Sequence, residues 1–299
     1  MKVRVLEMPL DFGASRHGAD MGPSAIRLAG LKDTIENQGH LIEKWFSPIE
    51  ISPQEHYPIG DEKLRYLDCI LSFCETLRKE IVTTVDCGDF PLIIGGDHSI
   101  ALGSIAGVAS AHEGKRIGVL YIDAHGDFNT TETSPSGNIH GMCLSASCGL
   151  GDSRLTGLGG FSPKIQSQDV VIIGVRDLDP GEKKLLKENS VTVFSVTEID
   201  RLGIGEVINR TKKIFEACDL IHISLDLDVF DPLYAPGVGI SVPYGLSPRE
   251  VLFLLEEITS SLKICSAEVV ELNPVLDTRS KTARLAVAAI GKILGHRIF

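Results

Sequence analysis

The run Asp123-Ala-His125-Gly-Asp127-Phe-Asn129 sets three possible metal ligands on alternate residues. Alternate side chains of an extended segment share a face, so this spacing can aim several ligands at one point. Asp226-Leu-Asp228 repeats the device, and Gly95-Gly-Asp97-His98 adds a second imidazole. Each group closes an apolar run: Leu92-Ile-Ile before Asp97 and His98, Gly118-Val-Leu-Tyr-Ile before Asp123, Ile221-His-Ile-Ser-Leu before Asp226. A fourth run, Val269-Val, ends in Glu271-Leu-Asn273-Pro274. If these runs are parallel strands, their ligands gather along the carboxyl edge of one sheet, where open α/β sheets bind.

Such convergence is costly by itself. Carboxylates packed within a few ångströms repel and take up protons unless cations sit between them. A single Asp at a strand end is ordinarily a turn residue or a helix N-cap, but several segments ending alike point to a shared site. His98, Asp123, His125, Asp127, Asp226 and Asp228 form an oxygen-rich set with two imidazoles and no thiolate. That is more than one zinc with an open position takes. The set suits two hard or borderline cations sharing bridging carboxylates, with Mn2+ favoured over Zn2+ on ligand type. His222 shares a strand face with Ser224 and Asp226 by the two-residue period, and reads as core or as support behind the ligands.

The elements that must position these residues alternate along the chain. Short β-rich runs are expected at Val3–Met8, Leu92–Ile94, Ile117–Ile122, Val170–Val175, Thr192–Phe194, Leu220–Leu225 and Ile264–Val270, with a weaker one around His40–Lys44. Segments of helical period lie at Ser24–Gly30, Glu62–Val85, Ile100–Ser110, Gly181–Asn189, Gly205–Ala217, Pro248–Ser260 and Thr282–Leu294. The pattern predicts an α/β protein with a parallel sheet covered on both faces. Pro248 after Ser247 fits a capped helix start. No linker, repeat or low-complexity tract divides the chain, and the polar loop from Phe46 to Asp61 is too short to do so; residues 1–299 are expected to form one domain.

Composition narrows the function classes. The chain is 43% hydrophobic and 23% charged, ordinary for a globular protein with a sizeable core. Its net charge of −11, with nine scattered histidines, leaves no basic patch for nucleic acid. It agrees with a cationic substrate or bound divalent metals. No apolar run approaches the ~20 residues of a membrane span, and the N-terminus reads as a first strand, not a signal peptide. The seven cysteines include no Cys-x-x-Cys pair, so free thiols in a reducing cytoplasm are expected.

Gly95-Gly-Asp97-His98-Ser, Asp123-Ala-His125-Gly-Asp127 and Ser224-Leu-Asp226-Leu-Asp228-Val-Phe-Asp-Pro232 resemble the three metal-binding motifs of the ureohydrolase superfamily. The likeness runs from Gly18-Ala-Asp-Met-Gly-Pro-Ser24 to Glu271-Leu-Asn-Pro274. It implies that family's three-layer α/β/α fold, an eight-stranded and mostly parallel sheet with two Mn2+ per chain. His98, Asp123, Asp127 and Asp226 would hold one metal, and His125, Asp123, Asp226 and Asp228 the other, with Asp123 and Asp226 as bridges. The segment Asn129 to Ser136-Gly-Asn138-Ile-His140-Gly resembles arginases and not agmatinases. By that likeness Asn129 and Ser136 meet the substrate α-carboxylate, with Asn138 helping. Gly174-Val-Arg-Asp177-Leu-Asp179-Pro-Gly-Glu182 gives Asp179 the α-amino group, with Glu182 assisting.

The implied reaction is hydrolysis of the guanidinium group of L-arginine to L-ornithine and urea by a metal-bridging hydroxide. In it Glu271 pairs with the guanidinium and Asp127 relays a proton to the departing amine. His140, with an ordinary pKa of ~6.5, shuttles protons to solvent. Two alternatives stand beside this reading. One is a sister hydrolase of agmatine or guanidinobutyrate, told apart by the α-group contacts. The other is a catalytically weak relative serving as a binding or regulatory subunit, against which the full ligand set argues. The resemblance implies homo-trimers or homo-hexamers. Two positions depart from the usual arginase text: Val229 stands where Gly is common, and Ile240-Ser241 where Thr-Pro is common. Both bear on rate and substrate choice.

Overall fold

The computed structural model describes residues 1–52 and 56–297. Its strands are β1 (Lys2–Met8), β2 (Leu41–Phe46), β3 (Gly60–Asp61), β4 (Leu64–Arg65), β5 (Phe90–Gly95), β6 (Ile117–Ile122), β7 (Val170–Val175), β8 (Thr192–Ser195), β9 (Leu220–Asp226) and β10 (Ile264–Val270). Eight of them form one sheet in the order β2-β1-β5-β10-β9-β6-β7-β8. Every neighbouring pair in it is parallel, so the sheet is wholly and not merely mostly parallel. The strands read as continuous apolar runs because both faces are covered: every residue of β6 and β7 is buried.

The helices are α1 (Gly22–Leu28), α2 (Leu31–Asn37), α3 (Leu67–Asp86), α4 (Ala101–Ala111), α5 (Cys143–Ser147), α6 (Ser153–Thr156), α7 (Pro180–Glu188), α8 (Val196–Leu202), α9 (Ile204–Phe215), α10 (Pro248–Ser261) and α11 (Lys281–Ile293). They make two layers. Ile26 of α1, Ile35 of α2, Val207 of α9, Val251 of α10 and Ala286 of α11 share one core with Leu120 and Ile122 of β6. Ile70 of α3, Ile105 of α4 and Leu186 of α7 share the other with Val119 and Tyr121 from the opposite face of that strand. The result is the three-layer α/β/α arrangement.

Several local expectations shift. The helix expected over Glu62–Val85 begins only at Leu67, because residues 60–65 pair as the antiparallel β3–β4 ribbon and Tyr66 sits at φ 57, which no helix interior tolerates. Helices α2 and α8 are only seven residues long and carry no long apolar period; α8 is set by a capping box between Ser195 and Glu198. The start at Pro248 is capped as expected, Ser247 accepting from the Glu250 amide. Residues 53–55 of the Phe46–Asp61 loop lie outside the described residues.

What matters for function is the middle of the sheet. β5, β10, β9 and β6 are consecutive neighbours, and they are the four strands whose ends carry the acidic and imidazole residues. β5 and β6 are separated by two strands that come last in the chain, so crossovers on both sides leave a crevice at their carboxyl ends. The floor of that crevice is packed tightly. After β5 the Gly96 amide donates to the Met8 carbonyl at 2.7 Å and the Asp97 amide to the Leu10 carbonyl at 2.7 Å. A Cβ on Gly96 would stand 1.8 Å from the Leu10 carbonyl oxygen. Gly96→Ala is therefore expected to force the ends of β1 and β5 apart and to lower the unfolding free energy by about 3 kcal/mol. Urea denaturation followed by circular dichroism checks this, and an unchanged midpoint contradicts the packing.

Candidate metal centre and substrate pocket

Strand register brings the ligand candidates together. Ile122 pairs with Leu225, so Asp123 follows beside Asp226; Asp226 itself pairs with Val270, so Glu271 comes next on the neighbouring strand. Short turns then aim the side chains, each closed by its own carboxylate: Asp97 accepts from the Ser99 amide at 2.9 Å, Asp123 from the His125 amide at 2.6 Å and Asp226 from the Asp228 amide at 2.7 Å. These are Asx turns, which fix a side chain by spending one oxygen on the local backbone.

The other oxygens converge. His98 Nδ1 lies 3.1 Å from Asp123 Oδ2, from Asp127 Oδ2 and from Asp226 Oδ2. One N–H cannot serve three acceptors, whereas a cation among them can. Donors at right angles around one cation with bonds of about 2.1 Å lie about 3 Å apart, the separation found here. A second group adjoins the first: His125 Nδ1 is 2.9 Å from Asp228 Oδ2 and 3.5 Å from Asp123 Oδ1. Asp123 is common to both groups, one oxygen toward each imidazole, and its buried Oδ2 has no hydrogen-bond partner. Asp226 belongs to the His98 group, where its Oδ2 points, while its Oδ1 serves the Asp228 amide. Asp127 Oδ2 also accepts from the Tyr121 hydroxyl at 2.7 Å, and Asp127 holds a positive φ of 48.

Electrostatics point the same way. Burial pulls the His98 and His125 pKa values down, but the surrounding carboxylates outweigh it and raise both well above the ordinary range. Burial, then Asp228 and Asp123, push Asp226 well up. A cluster that draws protons this strongly seeks positive charge, and oxygen-rich donors with two imidazoles fit divalent cations of the hard or borderline kind.

Behind the cluster lies a polar support that the motif spacing only partly announces. The His98 ring stacks on Tyr121 with centroids 4.5 Å apart and 6° between planes. Its Nε2 meets Ser224 Oγ at 2.7 Å, and Ser224 donates to Glu268 Oε1 at 2.7 Å. His222 bonds Ser266 at 2.7 Å and faces Glu268 at 3.4 Å, which makes it support and not a ligand, as its strand position implies. Burial would raise the Glu268 pKa, yet His222 and its neighbours lower it. Tyr121 and Ser224 stand two residues before Asp123 and Asp226, so the two-residue period could have flagged them; nothing in the sequence flags Glu268.

In front of the cluster opens a cavity of about 150 Å³ lined by the remaining candidates: Asn129, Ser136, Asn138, His140, Asp179, Glu182 and Glu271, together with Asp177 and Ile240. Among the described residues no lysine or arginine lines it. Asn129 Nδ2 donates to Asp179 Oδ2 at 3.0 Å, while its buried Oδ1 has no partner. The Asn138 amide group is engaged with Ser15, and its backbone N–H donates to Ser136 Oγ at 3.2 Å. Asp179 caps α7 and Glu182 closes the capping box. Glu182 also accepts from the Phe128 amide at 2.9 Å, and burial pushes its pKa up to about 7. It thereby ties the Phe128 backbone to the start of α7 while lining the cavity. Asp177, unassigned from sequence, faces His125 Nε2 at 4.0 Å.

Glu271 Oε1 accepts from the His98 amide at 2.9 Å and meets His140 Nδ1 at 3.2 Å, with Glu271 at a positive φ of 65. Burial opposes a charge on His140, but the Glu271 bond, with Asp127 and Asp97 behind it, raises the pKa to about 9. This departs from the expectation of an unperturbed imidazole. A folded pKa above the unfolded value of ~6.5 means that the pair contributes stability below about pH 6.5 and loses it as pH rises through about 9. In the metal-stripped protein His140→Asn is expected to cost on the order of 1–3 kcal/mol at pH ~6 and close to nothing at pH ~10. Denaturant titrations at the two pH values test this; a cost independent of pH rules the ion pair out.

Known proteins are similar to this chain in sequence and in fold. An arginase-family sequence profile matches residues 1–295. An arginase of Bacillus caldovelox is 47% identical over 298 residues, covering 99% of each chain. The crystal structure of arginase from Bacillus subtilis superposes with a TM-score of 0.94 at 44% identity, covering 100% of both chains. The Entamoeba histolytica arginase in complex with L-ornithine superposes with a TM-score of 0.90 at 33% identity, covering 99% of each. With its motifs, its sheet order and its cation-seeking cluster, the chain belongs to the arginase family of amidino-hydrolysing enzymes.

Proposed function

We propose that the chain hydrolyses the guanidinium group of L-arginine to L-ornithine and urea, with two Mn2+ held by His98, Asp123, His125, Asp127, Asp226 and Asp228. The observation that carries this reading is the pocket: an acidic cavity without lysine or arginine among the described residues, its floor the cation-seeking cluster and its wall Asn129, Ser136 and Asp179. The neighbour solved with L-ornithine, the product expected here, supports the same substrate class. Bound Mn2+ would supply a water acidified toward neutrality as nucleophile.

The chain's own residues do the rest. Glu271 Oε1 is taken by the His98 amide and the His140 ring, which leaves Oε2 for the guanidinium. A carboxylate paired with a guanidinium fixes the reacting carbon in place. His140 is held against Glu271, and once the substrate's positive charge shares that carboxylate the hold on any proton His140 carries weakens. His140 can then pass protons to and from solvent, while Asp127 relays one to the departing amine, which leaves poorly as an anion. Asp127, strained and bonded to Tyr121, is placed to accept the proton released at the nucleophile.

Agmatine lacks the α-carboxylate, so the Asn129/Ser136 wall has no partner in it, and an unpaired polar wall discriminates strongly. After Mn2+ loading, urea release is expected to be faster from L-arginine than from agmatine or guanidinobutyrate. Ser136→Ala and Asp179→Ala are expected to lower kcat/KM for L-arginine by about 10- to 100-fold, while Ser136→Ala leaves agmatine turnover unchanged. Equal or better turnover of agmatine by the wild-type protein would falsify the substrate assignment.

A further inference from the structure

Arg176 has no part in the chemistry above, yet it joins three segments of the site. Its backbone amide donates to the Ala124 carbonyl at 2.9 Å, between the ligand candidates Asp123 and His125. Its guanidinium reaches the other ligand turn: Nη2 donates to the Asp228 carbonyl at 2.6 Å and Nη1 to the Val229 carbonyl at 3.2 Å. Nη2 also donates to the Val242 carbonyl at 2.8 Å and Nε to the Pro243 carbonyl at 3.2 Å, on the segment that carries the pocket residue Ile240. All of these acceptors are backbone carbonyls, so the charge of Arg176 is not spent on a carboxylate partner there; it sits beside the acidic cluster.

We propose that Arg176 is a positioning residue for one half of the metal centre, the group of Asp123, His125 and Asp228: its planar fork ties the Asp228 turn to the pocket rim, while its backbone amide holds the Ala124 carbonyl between Asp123 and His125. The proposal rests on the reading that this cluster binds two divalent cations. Asp228 is gripped from three sides: Nη2 of Arg176 at its carbonyl, the Ala124 amide on Oδ1 at 3.0 Å and His125 Nδ1 facing Oδ2 at 2.9 Å. Only the first of these depends on a side chain outside the ligand set. A planar fork with five donors can span carbonyls that point from different turns, whereas a lysine offers three donors from a single atom and cannot. The His98 group has its own support in Tyr121, Ser224 and Glu268, none of which Arg176 touches. The two halves therefore have separate scaffolds.

Calorimetric titration of Mn2+ into the metal-stripped full-length protein tests this, with wild type, Arg176→Lys and Arg176→Gln compared, and with His125→Ala and His98→Ala as references for losing either half. The wild type is expected to take two equivalents. Both Arg176 variants are expected to keep one equivalent within about threefold in affinity and to weaken the other by about 10- to 100-fold. The retained equivalent should match the one left in His125→Ala and not the one left in His98→Ala, and excess Mn2+ should restore urea release. Equal weakening of both equivalents, no weakening of either, or variants that fail to fold when metal-free would overturn the assignment, because Arg176 would then serve the whole fold or nothing at the site. A wild-type protein that binds no Mn2+ would instead remove the metal-centre reading itself.

Discussion

Asp123, Asp226 and Asp228 are buried side by side, where water cannot screen them. Two like charges 4 Å apart repel by about 4 kcal/mol even at an effective dielectric of ~20, and whole proteins are stable by only about 5–15 kcal/mol. The fold answers this repulsion at every level. Amides of Gly13, Ser99, Ala124, His125 and Asp228 point at aspartate oxygens. Imidazoles of His98 and His125 stand between the carboxylates. What these donors cannot offset is left for bound cations, so the cluster's instability when empty and its affinity when filled have one cause.

That constraint also accounts for the architecture. Backbone donors hold aspartates only if the turns carrying them cannot drift, and turns at the ends of central, doubly covered strands drift least. The strand order sets β9 and β10 between β5 and β6, so site residues from 98 to 271 meet only when the last strands have entered the sheet. Such contacts are non-local and close late in folding. The residues that finish the site carry its backbone strain: Asp127 at φ 48 and Glu271 at φ 65. Strain of this kind persists only where the surroundings over-determine it, and here the Leu144 amide on the Asp127 carbonyl and the Gly96 carbonyl under the Glu271 amide do so.

The sequence makes the strand-end ligands legible because type, spacing and preceding apolar run coincide three times, and Glu271 follows from a fourth. The strand order is another matter. Nothing local in β9 or β10 says that they insert beside β5, since partner choice depends on the packing of the whole sheet. Support residues divide in the same way. Tyr121 and Ser224 obey the two-residue period of their strands, but Glu268 and Arg176 act through contacts across 44 and 52 residues of chain, and the motif in which Arg176 stands does not disclose its partners. Glu182 stands in a motif linked to substrate and lines the cavity, but the contacts of its oxygens with the Phe128 amide and the start of α7 are not legible from that motif.

The two departures from the usual arginase text separate on the same physical grounds. Val229 lies in a short 3-10 turn and is not among the residues with positive φ, so the freedom of a glycine is not required there. It is fully buried, and its bulk is taken up by the missing side chain of Gly174, where a Cβ would come within 2.4 Å of Val229 Cγ2. It therefore changes the back of the ligand turn and not the cavity. Ile240 is 43% exposed and lines the cavity. It sits on a segment held at Gly239 by Arg16 and at Val242 by Arg176, so it cannot swing away from whatever enters. Of the two, only Ile240 can alter what the pocket accepts, and it does so by offering an apolar surface where a hydroxyl would have offered a hydrogen bond.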